Sequence, residues 1–371
     1  MKVGLIMYQG DFLMGGFFRA AYNLIRELIR LDTQNTYQCI HGLRKPENFR
    51  GLEAHEIILP MKNWQKMRKL PSYLAKMGFD IIHETANISP LFFREPYKKI
   101  VTIHDLTPLR NKNWVTKRSH LVYRFYLPIA LRTVDLILVP SLNTKQDLQS
   151  YYGIPDSKIK VIHWGIEEKF FQPVSGEILT SFRNQKGLNF PYILHVGNLN
   201  PHKNLITALK AYTRLPPAIK KEYRFVSVGP KGDLGDYTIK EILKLNLGDS
   251  LVRLEYVDDE ELVMLYRGAA LFLFPSLYEG FGFPVLEGMA SGTSVICSNT
   301  ASLPELVGEG GILLSPLDVD SWREAIIRVL SDHNLQNSLR EKGKIQAKKF
   351  SWKKCALEHL EIYENIRGIK K

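Results

Sequence analysis

The sequence predicts an α/β protein built from two doubly wound parallel sheets. Short apolar runs alternate with longer helical stretches, the pattern left by a parallel sheet with crossover helices. The alternation lapses over residues 166–190 and then restarts, so it occurs twice in one chain. At 371 residues the chain is about twice the length of a usual domain, which leaves room for both. The expected division is a first domain over 1–170, a second over 171–350, and a terminal helix over 351–371 packing back on the first.

The elements follow in order. "KVGLIMY" (2–8) is a buried strand, and "QGDFLMGG" leads from it into the helical "FFRAAYNLIRELIRLD". Further strands are expected at "YQCIHGL", "HEIILP", "DIIHET", "KIVTIHD", "LILVPS" and "KVIHWG", with helices between most of them. The stretch "IEEKFFQPVSGEILTSFRNQKGLNF" (166–190) has no clean period and reads as a connection between domains. Strand "YILHVG" then opens the second series. It continues through "NLITALKAYTRL", "YRFVSVGP", "YTIKEILKLNL", "LVRLEYV", "DEELVMLYRGA", "LFLFPS" and "SVICSN", helix and strand in turn. The last forty residues are helical and charged.

Composition narrows the function. The net charge of +12 favours polyanionic company, either phosphorylated substrates or anionic lipid. Nucleic acid is not expected, because no zinc-finger spacing, RNA-binding aromatic signature or long Lys/Arg block is present. Cys39, Cys297 and Cys355 are scattered and odd in number, as packed thiols of a reducing compartment are, and outline no metal site. "MKVGLIMYQGD" is too short an apolar run for a signal peptide, and "GAALFLFPSL" is too short to span a bilayer. A cytoplasmic protein, able to lie against the inner face of a membrane, is the expectation.

In open α/β sheets ligands bind outside the carboxyl ends of the strands. After the first strand stand Gly15 and Gly16, where a ligand could approach the backbone and a helix start, or where the chain merely turns. After "KIVTI" come His104, an acid–base group near neutral pH, and Asp105, which could orient its ring; local packing is the plainer reading of the pair. After "YILHVG" comes "NLNPHKNL", with His202 beside Lys203. A lysine there suits a phosphate. It also opposes the dipole of the helix that follows, so a merely solvated Lys203 needs compensation.

The densest stretch is "YEGFGFPVLEGMASG" (278–292), in which Glu279 and Glu287 flank a glycine turn and Pro284 suits the first turn of a helix. An acid at a helix start is favoured by the dipole, so Glu287 has a structural reason to be there. Glu279, ahead of the glycines, has none. Carboxylates accept hydrogen bonds from diols and helix-start amides donate to phosphate, an order of groups that matches sugar, diphosphate and ribose.

These residues resemble a known family, the retaining glycosyltransferases of family 4 with their glycosyltransferase group 1 domain, and among them most closely the bacterial mannosyltransferases. "TIHDL", "VPSLNTKQDL…YYGIPDSKIKVIHWGI", "GNLNPHKNL", "YVDDEELVMLYRGA", "PSLYEGFGFPVLEGMASGTSVICSN" and "SLPELVGEGGILLSPLD" carry the resemblance over most of residues 98–330. It implies the GT-B fold, two Rossmann-like domains facing across a cleft. It also implies catalytic roles for His104 beside the transferred sugar, Lys203 at the leaving diphosphate and Glu279 on sugar hydroxyls. The backbone of Gly280, Phe281, Gly282 and Phe283 would line that sugar. The amides of Val285 and Leu286, with Gly15 and Gly16, would meet the phosphates. Glu287 would take the ribose, and Tyr256 and Val257 would flank the base. Asn198 occupies a position where many members carry arginine, and His202 one where some do, so more of the diphosphate charge falls to Lys203. The resemblance implies no metal and no cofactor.

The expected reaction moves a hexose, mannose from GDP-mannose, onto a hydroxyl of a glycan or lipid-linked saccharide, through a retaining front-face transfer. A UDP-sugar-dependent glucosyl- or N-acetylglucosaminyltransferase is the alternative within the family. A nucleotide-sugar 2-epimerase and a silent sugar-nucleotide binder are alternatives outside it. A basic, apolar stretch at 61–77 suits an anionic membrane, although a surface helix packed on the core explains it as well and Pro71 interrupts its pattern; a second, at 111–132, adds support.

Overall fold

The computed structural model describes residues 1–7, 16–42, 51–52, 55–59, 63–87 and 95–368, the side chains of 63–68 and 367 excepted. Gly15 therefore lies outside the described residues, as do residues 61 and 62 of the basic stretch at 61–77 and the side chains of 63–68; the rest of that stretch is helical, Asn63–Lys76, with Pro71 inside the helix.

The chain forms two compact units. The first holds Met1–Arg110, Lys117–Gly165 and Phe350–Lys371; the second holds Asn111–Thr116 and Ile166–Lys349. In the first, strands β1 (Lys2–Ile6), β2 (Thr36–His41), β3 (Glu56–Ile58), β4 (Ile81–Glu84), β5 (Lys98–Thr102), β6 (Leu136–Val139) and β7 (Ile159–Val161) make one sheet in the order β3-β2-β1-β4-β5-β6-β7. Every pairing is parallel, so β1 lies between β2 and β4 with Val3 opposite both Tyr37 and Ile81. β1, β4 and β5 are almost wholly buried, which is why they read as unbroken apolar runs. The terminal helix Trp352–Gly368 packs against the helix Gly16–Leu31 inside this unit.

The second unit repeats the plan with β8 (Tyr192–Val196), β9 (Arg224–Val228), β10 (Leu251–Leu254), β11 (Leu271–Phe274), β12 (Val295–Ser298) and β13 (Ile312–Leu314), ordered β10-β9-β8-β11-β12-β13. Two of these features depart from the expected pattern. β13 was not expected; its apolar run, Ile312–Leu314, is only three residues long and all of them are half-buried at a sheet edge. The stretch expected to be a plain connection contains a helix, Gly176–Lys186, which belongs to the second unit. Ser175 caps its start by accepting from the Ile178 amide, and Gly187 ends it in the left-handed region (φ 67°). Only Phe182 of that helix is buried, so no period announces it.

One core packs β8, β9 and β11 against the helices Leu205–Thr213 and Val319–Ser331, with Trp322 and Tyr212 fully buried. In each sheet the order reverses at one point, between β1 and β4 and between β8 and β11. Such a reversal opens a crevice at the carboxyl ends of the strands.

Candidate active site

In the second unit, β8 and β11 are neighbours although nearly eighty residues separate them in sequence, and the loops at their carboxyl ends are sewn together. The His202 carbonyl accepts from the Leu277 amide (2.7 Å) and from the Ser276 hydroxyl (3.1 Å). Asn204 adopts a left-handed conformation (φ 54°) and its Nδ2 donates to the carbonyls of Pro275 (2.9 Å) and Pro316 (2.8 Å). Asn204 thus ties three loops together; it does not cap the helix it precedes.

That sewing brings two predicted side chains into contact. Lys203 Nζ donates to Glu279 Oε1 at 2.6 Å, and both side chains are largely covered (16% and 12% exposed). The ammonium also lies over the Phe274 ring, 5.6 Å from its centre. The compensation that Lys203 requires at a helix start is therefore the Glu279 carboxylate, and Glu279 has a structural partner after all.

Ser302, absent from the sequence expectations, holds the glycine turn by donating to the carbonyls of Glu279 (3.0 Å) and Phe281. Gly282 carries φ 127°, and a Cβ there would meet Leu303 Cδ2 at 2.8 Å, so the turn needs glycine on both counts. Phe281 is buried and packs edge-on to Phe283, with centroids 5.2 Å apart. The helix Phe283–Ala290 follows. The amides of Val285 and Leu286, expected to meet phosphate, both donate to the Gly282 carbonyl (3.1 and 3.4 Å).

Glu287 is the more deeply buried carboxylate, at 1% exposure. It lies beyond the first turn of its helix and accepts from the Tyr266 hydroxyl at 3.0 Å. A solvated helix-dipole role does not describe it. Tyr266, its donor, carries no motif and was missed.

The positions that depart from the family pattern have local duties. Asn198 Oδ1 accepts from the Asn200 amide (3.1 Å), shaping the loop. His202 is held neutral; burial and the nearby Lys203 charge push it down to about 4, against the pull of Glu279. His195, at the end of β8 and also missed, is fully buried and pushed down to about 3, by burial first and then by Lys203. Tyr256 (72% exposed) and Val257 stand in the loop after β10. Among the described residues no hydrogen bond or ring contact joins either of them to the Lys203–Glu279 pair.

In the first unit His104 follows β5 and is buried. Its Nε2 lies 2.7 Å from the Thr85 carbonyl, and its amide donates to Asn87 Oδ1 (2.6 Å). Asp105 Oδ1 instead accepts from the Thr107 amide (2.9 Å), so the ring is oriented by backbone rather than by its neighbour. Burial pushes His104 down to about 4, a shift opposed by the Thr85 hydrogen bond. Gly16 begins the helix that presents Phe17, and the Phe17 ring stacks on His104 at 4.2 Å. Among the described residues no three His, Cys, Asp or Glu side chains are gathered as metal ligands.

Two family profiles tile the chain: Glycosyltransferase Family 4 over residues 14–170 and Glycosyl transferases group 1 over 179–346. O-antigen chain mannosyltransferase B of Escherichia coli is 30% identical over 72% of this chain and 70% of its own length. The chain belongs to glycosyltransferase family 4. The serotype-specific mannosyltransferase WbdA of Escherichia coli is 31% identical, but the match spans 72% of this chain and only 33% of that protein. Among solved structures, Anabaena Alr3699/HepE in complex with UDP-glucose superposes with a TM-score of 0.80 at 18% identity, covering 98% of this chain and 100% of that one. That likeness shows the fold, which is GT-B: two Rossmann-like units, each with its own parallel sheet.

This glycosyltransferase thus gathers Lys203, Glu279, the glycine turn and Glu287 at the carboxyl end of the second sheet, where its order reverses. Gly16, Phe17 and His104 are gathered in the first unit. The two relatives named above are mannosyltransferases, and this chain is an enzyme of the glycosyltransferase class.

Proposed function

We propose that this glycosyltransferase moves mannose from GDP-mannose to a hydroxyl of a glycan or lipid-linked saccharide, with retention and without a metal. The observation that carries the site assignment is the covered Lys203–Glu279 pair at the switch point between β8 and β11. The mannosyltransferase relatives support the choice of sugar. In this reading Lys203 neutralises the leaving diphosphate, and Glu279, already turned toward the same spot, accepts from sugar hydroxyls. Glu287, in the second turn of the helix that follows and anchored by Tyr266, takes the ribose diol. His104 sits by the transferred sugar as a neutral ring. A carbonyl can only accept, so the Thr85 contact places the proton on Nε2 and leaves Nδ1 as an acceptor. The departing diphosphate takes the proton of the attacking hydroxyl on the face it leaves. With Asn198 and His202 contributing no positive charge, Lys203 is the cation this loop brings.

A thermal-shift screen of GDP-, UDP-, ADP- and dTDP-sugars, each with and without EDTA, tests the reading. Saturation at about 100 Kd stabilises by about 2.7 kcal/mol, enough to register as a raised melting point. GDP-mannose should give the shift, and release of GDP on acceptor addition should survive EDTA. A shift with UDP-glucose or UDP-N-acetylglucosamine alone would move the assignment to a UDP-sugar transferase. An epimerised donor would remove transfer altogether.

The lipid-linked acceptor has its own support in the first unit. Over 117–133 the helix presents Leu121, Phe125 and Ile129 to solvent at 53%, 60% and 58% exposure. Lys117, Arg118, Arg124 and Arg132 are exposed along the same stretch. No Asp or Glu occurs from 106 to 134. Apolar residues among unopposed cations suit the headgroup region of an anionic bilayer. Among the described residues no helix is long and apolar enough to cross one.

A further inference from the structure

Five rings form a column through the first unit. Phe17 stacks on His104 (centroids 4.2 Å, planes 23° apart), and His104 stacks on Trp164 (5.6 Å, 28°). Trp164 stacks on His359 (5.9 Å, 17°), and His359 stacks on His83 (5.8 Å, 28°). Apart from Phe17, every ring is buried. The far end is bolted, because His83 Nδ1 meets the Tyr363 hydroxyl (2.7 Å) and His83 Nε2 meets the Thr102 hydroxyl (2.7 Å). Thr102 stands on β5, two residues before His104. His359 and Tyr363 come from the terminal helix, so residues about 250 apart in sequence share this column. That helix is seated firmly at its start, since a Cβ on Gly165 would collide with the backbone of Ser351 and Trp352.

A buried tryptophan or histidine normally finds a hydrogen-bond partner for each ring nitrogen. Among the described residues Trp164 Nε1 and His359 Nε2 have none. Their faces, not these nitrogens, are what the neighbours use. The Thr85 hydrogen bond fixes one atom of the His104 ring but not the tilt of its plane about that bond; the two flanking faces, Phe17 and Trp164, fix the tilt. Trp164 in turn rests on His359.

We propose that Trp164 and His359 are positioning residues that hold the plane of His104, His359 acting through Trp164. For turnover, the inference rests on the role given to His104 above. A misplacement of about an ångström at reacting groups costs up to about a hundredfold in rate. His359→Ala, which removes the support, should lower kcat about ten- to a hundredfold with donor KM little changed. His359→Phe keeps a flat ring and should restore most of kcat. His359→Leu fills the space without a face and should not.

The structural readout is independent of activity. In ¹⁵N-labelled full-length protein, His104 should show the single Nε2–H tautomer, and His359→Ala should shift or mix that signal while His359→Phe preserves it. Calorimetry on each variant separates loss of fold from loss of position. An unchanged His104 signal in folded His359→Ala overturns the inference, as does wild-type kcat in folded His359→Leu with the signal unmoved. A shifted signal combined with full turnover in His104→Ala would support the positioning and remove the role of His104 instead.

Discussion

Removing either member of the Lys203–Glu279 pair should do two separable things, and a charge swap pulls them apart. The ammonium and carboxylate meet at 2.6 Å with most of each side chain covered. Deleting one partner strands the other's charge in a low-dielectric pocket, which costs about 3 kcal/mol at the lower end of the range for buried pairs. The second unit falls in the size range where 1 kcal/mol shifts Tm by about 2–4 °C, so Lys203→Ala and Glu279→Ala should each lower its melting by about 6–12 °C. Loss of a preorganised group facing developing charge costs a further ~10²–10³ in kcat. Lys203→Glu/Glu279→Lys restores an opposite pair at the same place, and a double-mutant cycle on Tm should recover coupling of about 0.5–3 kcal/mol. Turnover, however, should stay down, because the diphosphate would meet a carboxylate and the sugar hydroxyls an ammonium. The assay is donor consumption in the four-member cycle with calorimetry in parallel. Recovery of turnover together with Tm in the swapped protein would refute the reasoning, for the pair would then be structural alone.

Three further outcomes follow from the same structure. Tyr266→Phe removes the hydroxyl that donates to buried Glu287, a bond to a charged group worth about 1.5–3 kcal/mol, and should weaken nucleotide binding about tenfold or more by titration calorimetry. Unchanged affinity for GDP in both Tyr266→Phe and Glu287→Gln would detach Glu287 from the ribose. Stability should fall in acid. His104, His202 and His359 are each pushed down to about 4 by burial, below the ordinary 6.5, so the unfolded chain binds more protons between those values. Their contribution is present above about pH 6.5 and is lost as pH drops toward about 4; a Tm that is flat across this window would contradict the neutral buried rings. Finally, Leu121→Ser/Phe125→Ser/Ile129→Ser should abolish sedimentation with phosphatidylglycerol vesicles at low salt, with transfer to a water-soluble acceptor unchanged. Wild-type protein that stays in the supernatant would remove the membrane surface.

Much of the fold was legible because both sheets are parallel and buried on both faces, so β1, β5, β8 and β11 stand out as unbroken apolar runs. What stayed hidden lacks burial: β13 at a sheet edge, and a helix that buries only Phe182, although Ser175 and Gly187 were readable caps. Ser302, Tyr266 and Phe17 act on the site through one hydroxyl or one ring face each, and no spacing in the sequence marks such roles.

The two glutamates show where a local reading misleads. Within the window of its own helix, Glu287 was explained by the dipole and Glu279 by nothing, which made Glu279 the sharper sign of a ligand. The sheet order inverts that weighting. Placing β8 beside β11 gives Glu279 a lysine 76 residues away, while Glu287 is sealed in the second turn of its helix with a tyrosine hydroxyl on one oxygen. Burying a carboxylate to 1% exposure is costly, and a helix start gives back only about 0.3–1 kcal/mol at exposed positions. Of the two glutamates, Glu287 is therefore the one whose burial costs more. In the proposed reading, a donor bound over this turn competes with Glu279 for Lys203. The ion pair thus orients both groups before binding and sets part of the cost of breaking their contact, which is why swapping its charges separates architecture from chemistry.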